Sequence, residues 1–321
     1  MGNSVFVCDE IQLIGDKGRG QSIEVLLTLL RNAGWKQFVG LSAVLERKDA
    51  RDLAGWLDVS PVVHEAREKH LRYECWSPKG IATVNTDQPE IIQENMPHPS
   101  GLSLNTPSIL DSLLNQTPSP VPVIVFCCKN KKEPYSLAEN LLTKRLKNKP
   151  AKSIIGFDGL PETAANSFLA KAMVHRVAIH SGDLTDEERH MVELGLKHGE
   201  IDVVFATSTL AAGVNFPLGA VIFASWQRWD SDQRKYIPIE TAEFHNMAGR
   251  SGRMGYDHEQ GRVIFIAQGI IEIHAANKYL DLGAMPVLEP RITPQRFNQL
   301  VFTACGVWVM PFKRGCWGGC V

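Results

Sequence analysis

Five short apolar runs recur from residue 122 onward, and together they constrain the fold more than any other feature. They are Pro122–Cys128 (PVIVFCC), Val177–His180 (VAIH), Ile201–Ala206 (IDVVFA), Ala220–Phe223 (AVIF) and Arg262–Ile266 (RVIFI). Runs of this length with β-branched residues read as buried strands. Stretches with helical spacing, such as residues 134–147, separate most of them. Strands that alternate with helices build an α/β fold on a parallel sheet of the doubly wound type.

The first part of the chain repeats the pattern. Residues 4–8 (SVFVC) form an apolar run that stops at Asp9-Glu10, residues 21–33 have helical spacing with Gly34 as a stop, and Gln37–Ala43 reads as a second strand. This is a βαβ unit. A helix is expected over Asp49–Leu57 and a strand over Leu71–Trp76. Residues 77–122 change character, with eight prolines among many Ser, Thr and Asn residues. That composition reads as a linker with one short helix near 108–115.

Composition narrows the class. Hydrophobic residues make up 44% and charged residues 21%, enough for a real core. The formal net charge of -1 gives no sign of a basic nucleic-acid binder, although a basic groove can sit on a neutral protein. Seven cysteines without a C-x-x-C pair argue against a disulfide framework. No apolar stretch approaches the ~20 residues of a membrane-spanning helix. An intracellular protein, cytoplasmic or nuclear, with no membrane partner is expected.

Three constellations carry chemistry. Asp9-Glu10-Ile11-Gln12 follows a strand, where one carboxylate could hold Mg²⁺ and its neighbour could orient or deprotonate water. The same pair could equally be a strand ending in solvent. Thr207-Ser208-Thr209, then Gly213, Asn215 and Pro217, follow another strand. Their hydroxyls could engage a phosphodiester backbone or cap a helix. Asn246-Met247-Ala248-Gly249-Arg250-Ser251-Gly252-Arg253 spaces two arginines on one side of an expected helix, and guanidinium forks match phosphate oxygens. A solvated basic helix is the alternative, but two glycines within a helix would cost it ~1 kcal/mol each.

The order of these segments, with Ser42-Ala43 between the first and second, resembles the superfamily 2 DExH-box helicases of the Ski-like branch, which includes archaeal repair helicases and exosome helicases. The resemblance spans roughly residues 4–270 and implies two RecA-like parallel-sheet lobes, the first incomplete. It also implies roles. Asp9 would bind Mg²⁺ and Glu10 would act as the base of motif II, with Gln12 beside the nucleotide. Ser42 and Ala43 would couple hydrolysis to movement as motif III. His180 and Ser181, with Thr207, Ser208 and Thr209 of motif V, would contact the nucleic-acid backbone. Gly213, Asn215 and Gly249 would face the nucleotide, and Arg250 and Arg253 of motif VI would reach the γ-phosphate. ATP and Mg²⁺ would be the cofactors, and single-stranded or partly duplex DNA or RNA the partner.

Two departures accompany the resemblance. Gln12 replaces the His usual in the branch. No P-loop precedes Asp9, so a P-loop-bearing region is expected to be missing and the chain alone to be inactive. Gly15–Ser22 has P-loop spacing, but Gln21 stands where the Lys belongs and the segment follows the wrong strand. The expected organisation is residues 1–78 as the end of a first lobe, 79–120 as a Pro-rich linker, 121–290 as the second lobe, and 291–321 as the start of a further domain or an aberrant tail. Cys305, Cys316 and Cys320 in that tail are too few for a zinc site. The function expected is an ATP-dependent helicase or translocase. The alternatives are a non-catalytic nucleic-acid-binding module and, more remotely, a metal-dependent hydrolase built on Asp9 and Glu10.

Overall fold

A computed structural model describes residues 3–16, 18–42, 45–63, 70–145, 162–211, 218–252 and 260–281. The chain divides into two compact units, one containing residues 1–65 and the other residues 66–284.

In the first unit, β1 (Val5–Cys8) and β2 (Gln37–Gly40) pair in parallel, joined by α1 (Gly20–Ala33) and followed by α2 (Arg47–Leu57). Phe6, Cys8 and Phe38 pack with Ile11, Ile14, Leu27 and Leu57 into a small core. The opposite side of β1 is bare, with Val5 55% and Val7 65% exposed.

The second unit is built on an eight-stranded sheet. Its elements are β3 (Leu71–Ser77), β4 (Gly80–Asn85), β5 (Gln88–Met96), α3 (Thr106–Leu114), β6 (Val123–Phe126), α4 (Glu133–Arg145), α5 (Ala164–Met173), β7 (Val177–His180), α6 (Asp186–Lys197), β8 (Val203–Ala206), β9 (Ala220–Phe223), β10 (Gln227–Asp230), β11 (Lys235–Pro238), α7 (Thr241–Ala248), β12 (Gly261–Ile266) and α8 (Ile270–Leu280). The strand order is β5-β4-β3-β12-β9-β6-β8-β7, and β10 with β11 forms a separate antiparallel hairpin. From β3 to β7 every pair is parallel. Four of the five expected apolar runs form the adjacent interior strands β12, β9, β6 and β8, and the fifth forms the edge strand β7, whose residues are buried as well. No helix among the described residues is long and apolar enough to cross a membrane.

Two expectations are corrected. The Pro-rich stretch contains the expected short helix as α3, but it is not otherwise a bare linker, because it also holds β4 and β5. Pro89 is tolerated because β5 is an edge strand, where a missing N–H leaves no ladder bond unmade. Asn105 caps α3 by accepting from the Ser108 amide, with Pro107 in the first turn. The strand at 71–77, grouped by sequence with the first lobe, pairs instead with β12 of the large sheet. Parallel pairing depends on a partner far along the chain, which local pattern does not reveal.

A buried carboxylate fixes that pairing. Glu74 on β3 accepts from Arg262 of β12 through Nε at 2.7 Å and a terminal nitrogen at 3.0 Å. It also accepts from the Trp76 indole at 2.8 Å, and the other arm of Arg262 donates to Gln116 at 2.7 Å. A buried ion pair is tolerable only when its remaining hydrogen-bonding sites are satisfied in this way. The expected elements beyond residue 281 lie outside the described residues.

Candidate nucleotide and nucleic-acid sites

The first-unit site sits where β1 ends. Asp9 is exposed, and its carboxylate accepts from the Glu10 amide at 2.9 Å. Glu10 takes a left-handed backbone (φ 53°, ψ 43°), which a non-glycine residue adopts only when the surroundings hold it there. The holding contacts follow in sequence. The Leu13 amide donates to the Glu10 carbonyl at 2.9 Å, and the Ile11 amide donates to Leu41 at 3.0 Å. The Gln12 amide nitrogen donates to the Glu10 carboxylate, and the Ser42 hydroxyl donates to Gln12 Oε1 at 2.6 Å. A single carboxamide therefore joins the strand-end carboxylate to the hydroxyl after β2. The carboxamide supplies both the donor and the acceptor that this relay uses while staying uncharged. Ala43 lies outside the described residues.

The P-loop look-alike is already occupied. The Asp16 carboxylate accepts from the Gly18 and Arg19 amides at 2.9 and 2.7 Å, using N–H groups a phosphate would need. Partial burial pushes the Asp16 carboxyl up, but those two amides and the Arg19 guanidinium outweigh it and hold the carboxyl below its usual range. Magnesium keeps several waters and takes one or two carboxylates plus phosphate oxygens. The exposed Asp9 carboxylate fits that demand, whereas Glu10 is already engaged by Gln12. Among the described residues no group of three or more His, Cys, Asp or Glu side chains could hold a metal ion.

In the second unit, the motif V segment starts where β8 ends. The Thr207 amide donates to His180 at 3.0 Å, and Ser208–Ala211 form a single 3₁₀ turn with Leu210 buried beneath it. Ser208 is half-buried, Thr209 lies within the turn, and Gly213 and Asn215 lie outside the described residues. His180 ends β7 and Ser181 follows it, both as buried side chains, so the surface of that segment consists of Gly182 and Asp183. Burial, with Arg189 nearby, pushes the His180 imidazole down to about 4.

The motif VI residues are not inside a helix. α7 stops at Ala248, Gly249 follows as its cap, and Arg250 lies just beyond at 4% exposure. One Arg250 terminal nitrogen is 3.4 Å from Asn246 Oδ1. Gly252 has φ +66°, and a Cβ there would lie 2.9 Å from the Gly261 amide nitrogen. The need for glycine is therefore a close backbone crossing, not space on a helix face. The Gly252 amide donates to Leu218 at 3.0 Å and the Ser251 hydroxyl to Gly219 at 3.2 Å. The arginine loop is thus pinned to the chain where the motif V segment returns to the sheet. Arg253 lies outside the described residues.

With this geometry in hand, comparison with known proteins decides the family. Residues 133–255 match the model of the helicase conserved C-terminal domain. The chain is 29% identical over 280 residues to the ATP-dependent DNA helicase Hel308 of Methanococcus vannielii, covering 85% of this chain and 36% of that protein. The Pyrococcus horikoshii protein of that name is 30% identical over 275 residues, 82% of this chain and 34% of its own. That of Thermoplasma acidophilum is 28% identical over 309 residues, 94% of this chain and 42% of its own.

The chain belongs to the superfamily 2 DExH-type helicases. It spans between a third and just over two fifths of the length of these relatives. Its large, mostly parallel sheet is that of a RecA-like helicase C-terminal domain.

Two features of this helicase domain escaped the sequence reading. The β10–β11 hairpin displays Trp229 and Tyr236 at its surface in edge-to-face contact, with centroids 5.3 Å apart. Its alternation of residues on either side of Ser231-Asp232 was the available signal. His245 of α7 is buried, and its Nδ1 lies 3.2 Å from the Tyr73 hydroxyl of β3. Burial pushes that imidazole down to about 4 as well, so the ring that fixes α7 to the sheet is neutral near pH 7. Nothing in the local sequence marks that pairing.

Proposed function

We propose that this chain works as part of an ATP-dependent DNA helicase motor, binding single strands through its second unit and taking part in ATP hydrolysis through Asp9, Glu10, Arg250 and Arg253. The observation that carries the proposal is the relay from Glu10 through Gln12 to Ser42. It ties a strand-end carboxylate, suited to act as base toward water, to a hydroxyl in the segment read as motif III. The family and the printed activity of the Hel308 relatives support the same reading. DNA as substrate would place this work in the cytoplasm or nucleus.

When bound, ATP with Mg²⁺ would supply the transferable phosphoryl group and the charge that polarises it. The exposed Asp9 carboxylate would hold the ion. Glu10, kept in position by Gln12, would accept a proton from the attacking water. Arg250 would add positive charge opposite the developing negative charge, with its loop held by the Gly252 crossing.

No Gly-x-x-x-x-Gly-Lys occurs in the 321 residues. Hydrolysis would therefore need a P-loop segment to complete the nucleotide site, and the bare Val5 and Val7 face offers apolar surface on which such a segment could pack. The chain alone is expected to show no DNA-stimulated ATPase. Adding a purified P-loop lobe should produce turnover that falls by about 10³ or more in Arg250→Ala. ATPase in the lone chain that rises with DNA and vanishes in Glu10→Gln would refute the division of labour. Salt-dependent DNA binding with no ATPase under any combination would favour a binding module.

A further inference from the structure

We propose that Ser225 is a positioning residue that fixes a lysine-bearing turn for contact with the phosphate backbone of a single strand. The inference rests on the nucleic-acid reading above and adds to it a residue outside every motif that the sequence singled out. Ser225 lies just past β9, and its hydroxyl oxygen accepts from two consecutive amides, Cys128 at 2.6 Å and Lys129 at 3.0 Å. The same hydroxyl donates to Glu133 Oε2 at 2.7 Å, and that oxygen also accepts from the Lys129 amide at 3.0 Å. A serine hydroxyl has one proton and two lone pairs. All three are used here, and they join three separate pieces of chain.

What these bonds fix is the turn from the end of β6 into α4. Asn130 completes it by accepting from the Lys132 and Glu133 amides at 2.9 and 3.0 Å. Three lysines project from this turn. Lys131 pairs with Asp183 at 2.6 Å. Lys129 is exposed, with its ammonium 5.8 Å from the centre of the Tyr236 ring on the hairpin. Lys132 is exposed and has no ion-pair partner among the described residues. The one carboxylate within the turn, Glu133, is turned inward to Ser225 and the Lys129 amide, so it does not compete for the lysines. The turn lies at the carboxyl ends of β6 and β9, the side of a parallel sheet where ligands bind. Lysines held there by a saturated hydroxyl are preorganised for phosphate oxygens, and reading no base edge they would bind without sequence preference.

The test uses the 321-residue chain, a dT oligonucleotide and a salt series, together with amide hydrogen exchange. Ser225→Ala is expected to speed exchange at Cys128 and Lys129 about tenfold, the loss of roughly one hydrogen bond's protection. It should weaken binding and make the salt slope shallower by about one, as expected when a lysine no longer neutralises a phosphate. Ser225→Thr, which keeps the hydroxyl, should restore protection, affinity and slope. A purely structural serine would instead lower the melting temperature and leave the slope unchanged, which would overturn the proposal. So would wild-type affinity and slope in Ser225→Ala when the Lys129→Ala/Lys132→Ala double variant has lost both. In that case the nucleic-acid reading stands and only the positioning role falls. If the wild-type chain binds no oligonucleotide although its Cys128 and Lys129 amides are protected, the functional reading itself falls and takes this role with it.

Discussion

Strands β1 and β6 are each four residues long and apolar, and each belongs to a parallel pair, yet they meet opposite surroundings. Every side chain of β6 is buried, and the strand has a neighbour on each side. Among the described residues β1 has one strand neighbour, and its Val5 and Val7 are exposed. Parallel strands are stable when both faces are covered. The second unit therefore carries its own core, whereas the first presents chemistry on a platform that is only half packed. In the first unit, precision comes from hydrogen bonds between neighbours such as Gln12 and Ser42, not from burial.

The sharpest way to break this comparison is to remove one apolar side chain from each unit. Phe244 is fully buried, stacked between Phe223 at 4.2 Å and Tyr279 at 4.5 Å. Phe244→Ala should cost about 3–5 kcal/mol in urea unfolding. Val7→Ala, at an exposed position, should cost under about 0.5 kcal/mol. Similar losses from both would mean that the first unit is as tightly packed as the second.

Acidification should act on the second unit through its buried histidines. His180 and His245 both have imidazoles pushed down to about 4, against about 6.5 in an unfolded chain. Between those values the unfolded chain binds the protons and the folded chain does not. Stability is therefore fully present above about pH 6.5 and falls as pH drops toward 4, by up to about 3 kcal/mol per ring. Unfolding midpoints measured at pH 7 and pH 5 should show the loss, and His245→Phe should reduce it. An unchanged midpoint would mean that the rings are already accessible to water and protons.

The smallest expected effect on stability falls on the relay. Gln12→Leu removes a half-buried amide at the edge of the first unit and should move the unfolding free energy by under about 1 kcal/mol. In the motor reconstituted with a P-loop lobe, the same change should slow DNA-stimulated ATPase about fivefold, roughly one hydrogen bond's worth. A large loss of stability with unchanged turnover would make Gln12 a structural residue.

Much of this arrangement was legible from local pattern. The central strands announce themselves as continuous apolar runs, and Asp9-Glu10 stands out because carboxylates follow such a run directly. The β4–β5 hairpin was hidden because prolines and polar residues dominate its neighbourhood, and only its edge position makes Pro89 acceptable. Gly252 looked like a helix residue because its requirement is set by Gly261, which crosses it in space. The sheet membership of β3 is set by Glu74 and Arg262, which are 188 residues apart. Ser225 carried no signal, since a lone serine after a strand has countless local explanations.

The Glu74–Arg262 fork has a mechanical meaning. Strand β12 leads into α8, so tension applied beyond α8 is delivered along the axis of β12. That strand is laced in parallel to β3 on one side and β9 on the other, and the fork bolts it across to β3. Pulled lengthwise, β12 must shear both ladders and the bolt together, so the load is shared instead of breaking bonds one after another. Forced unfolding is governed by the height of that barrier rather than by equilibrium stability. The β1–β2 pair has a single ladder, and under the same pull it would yield first.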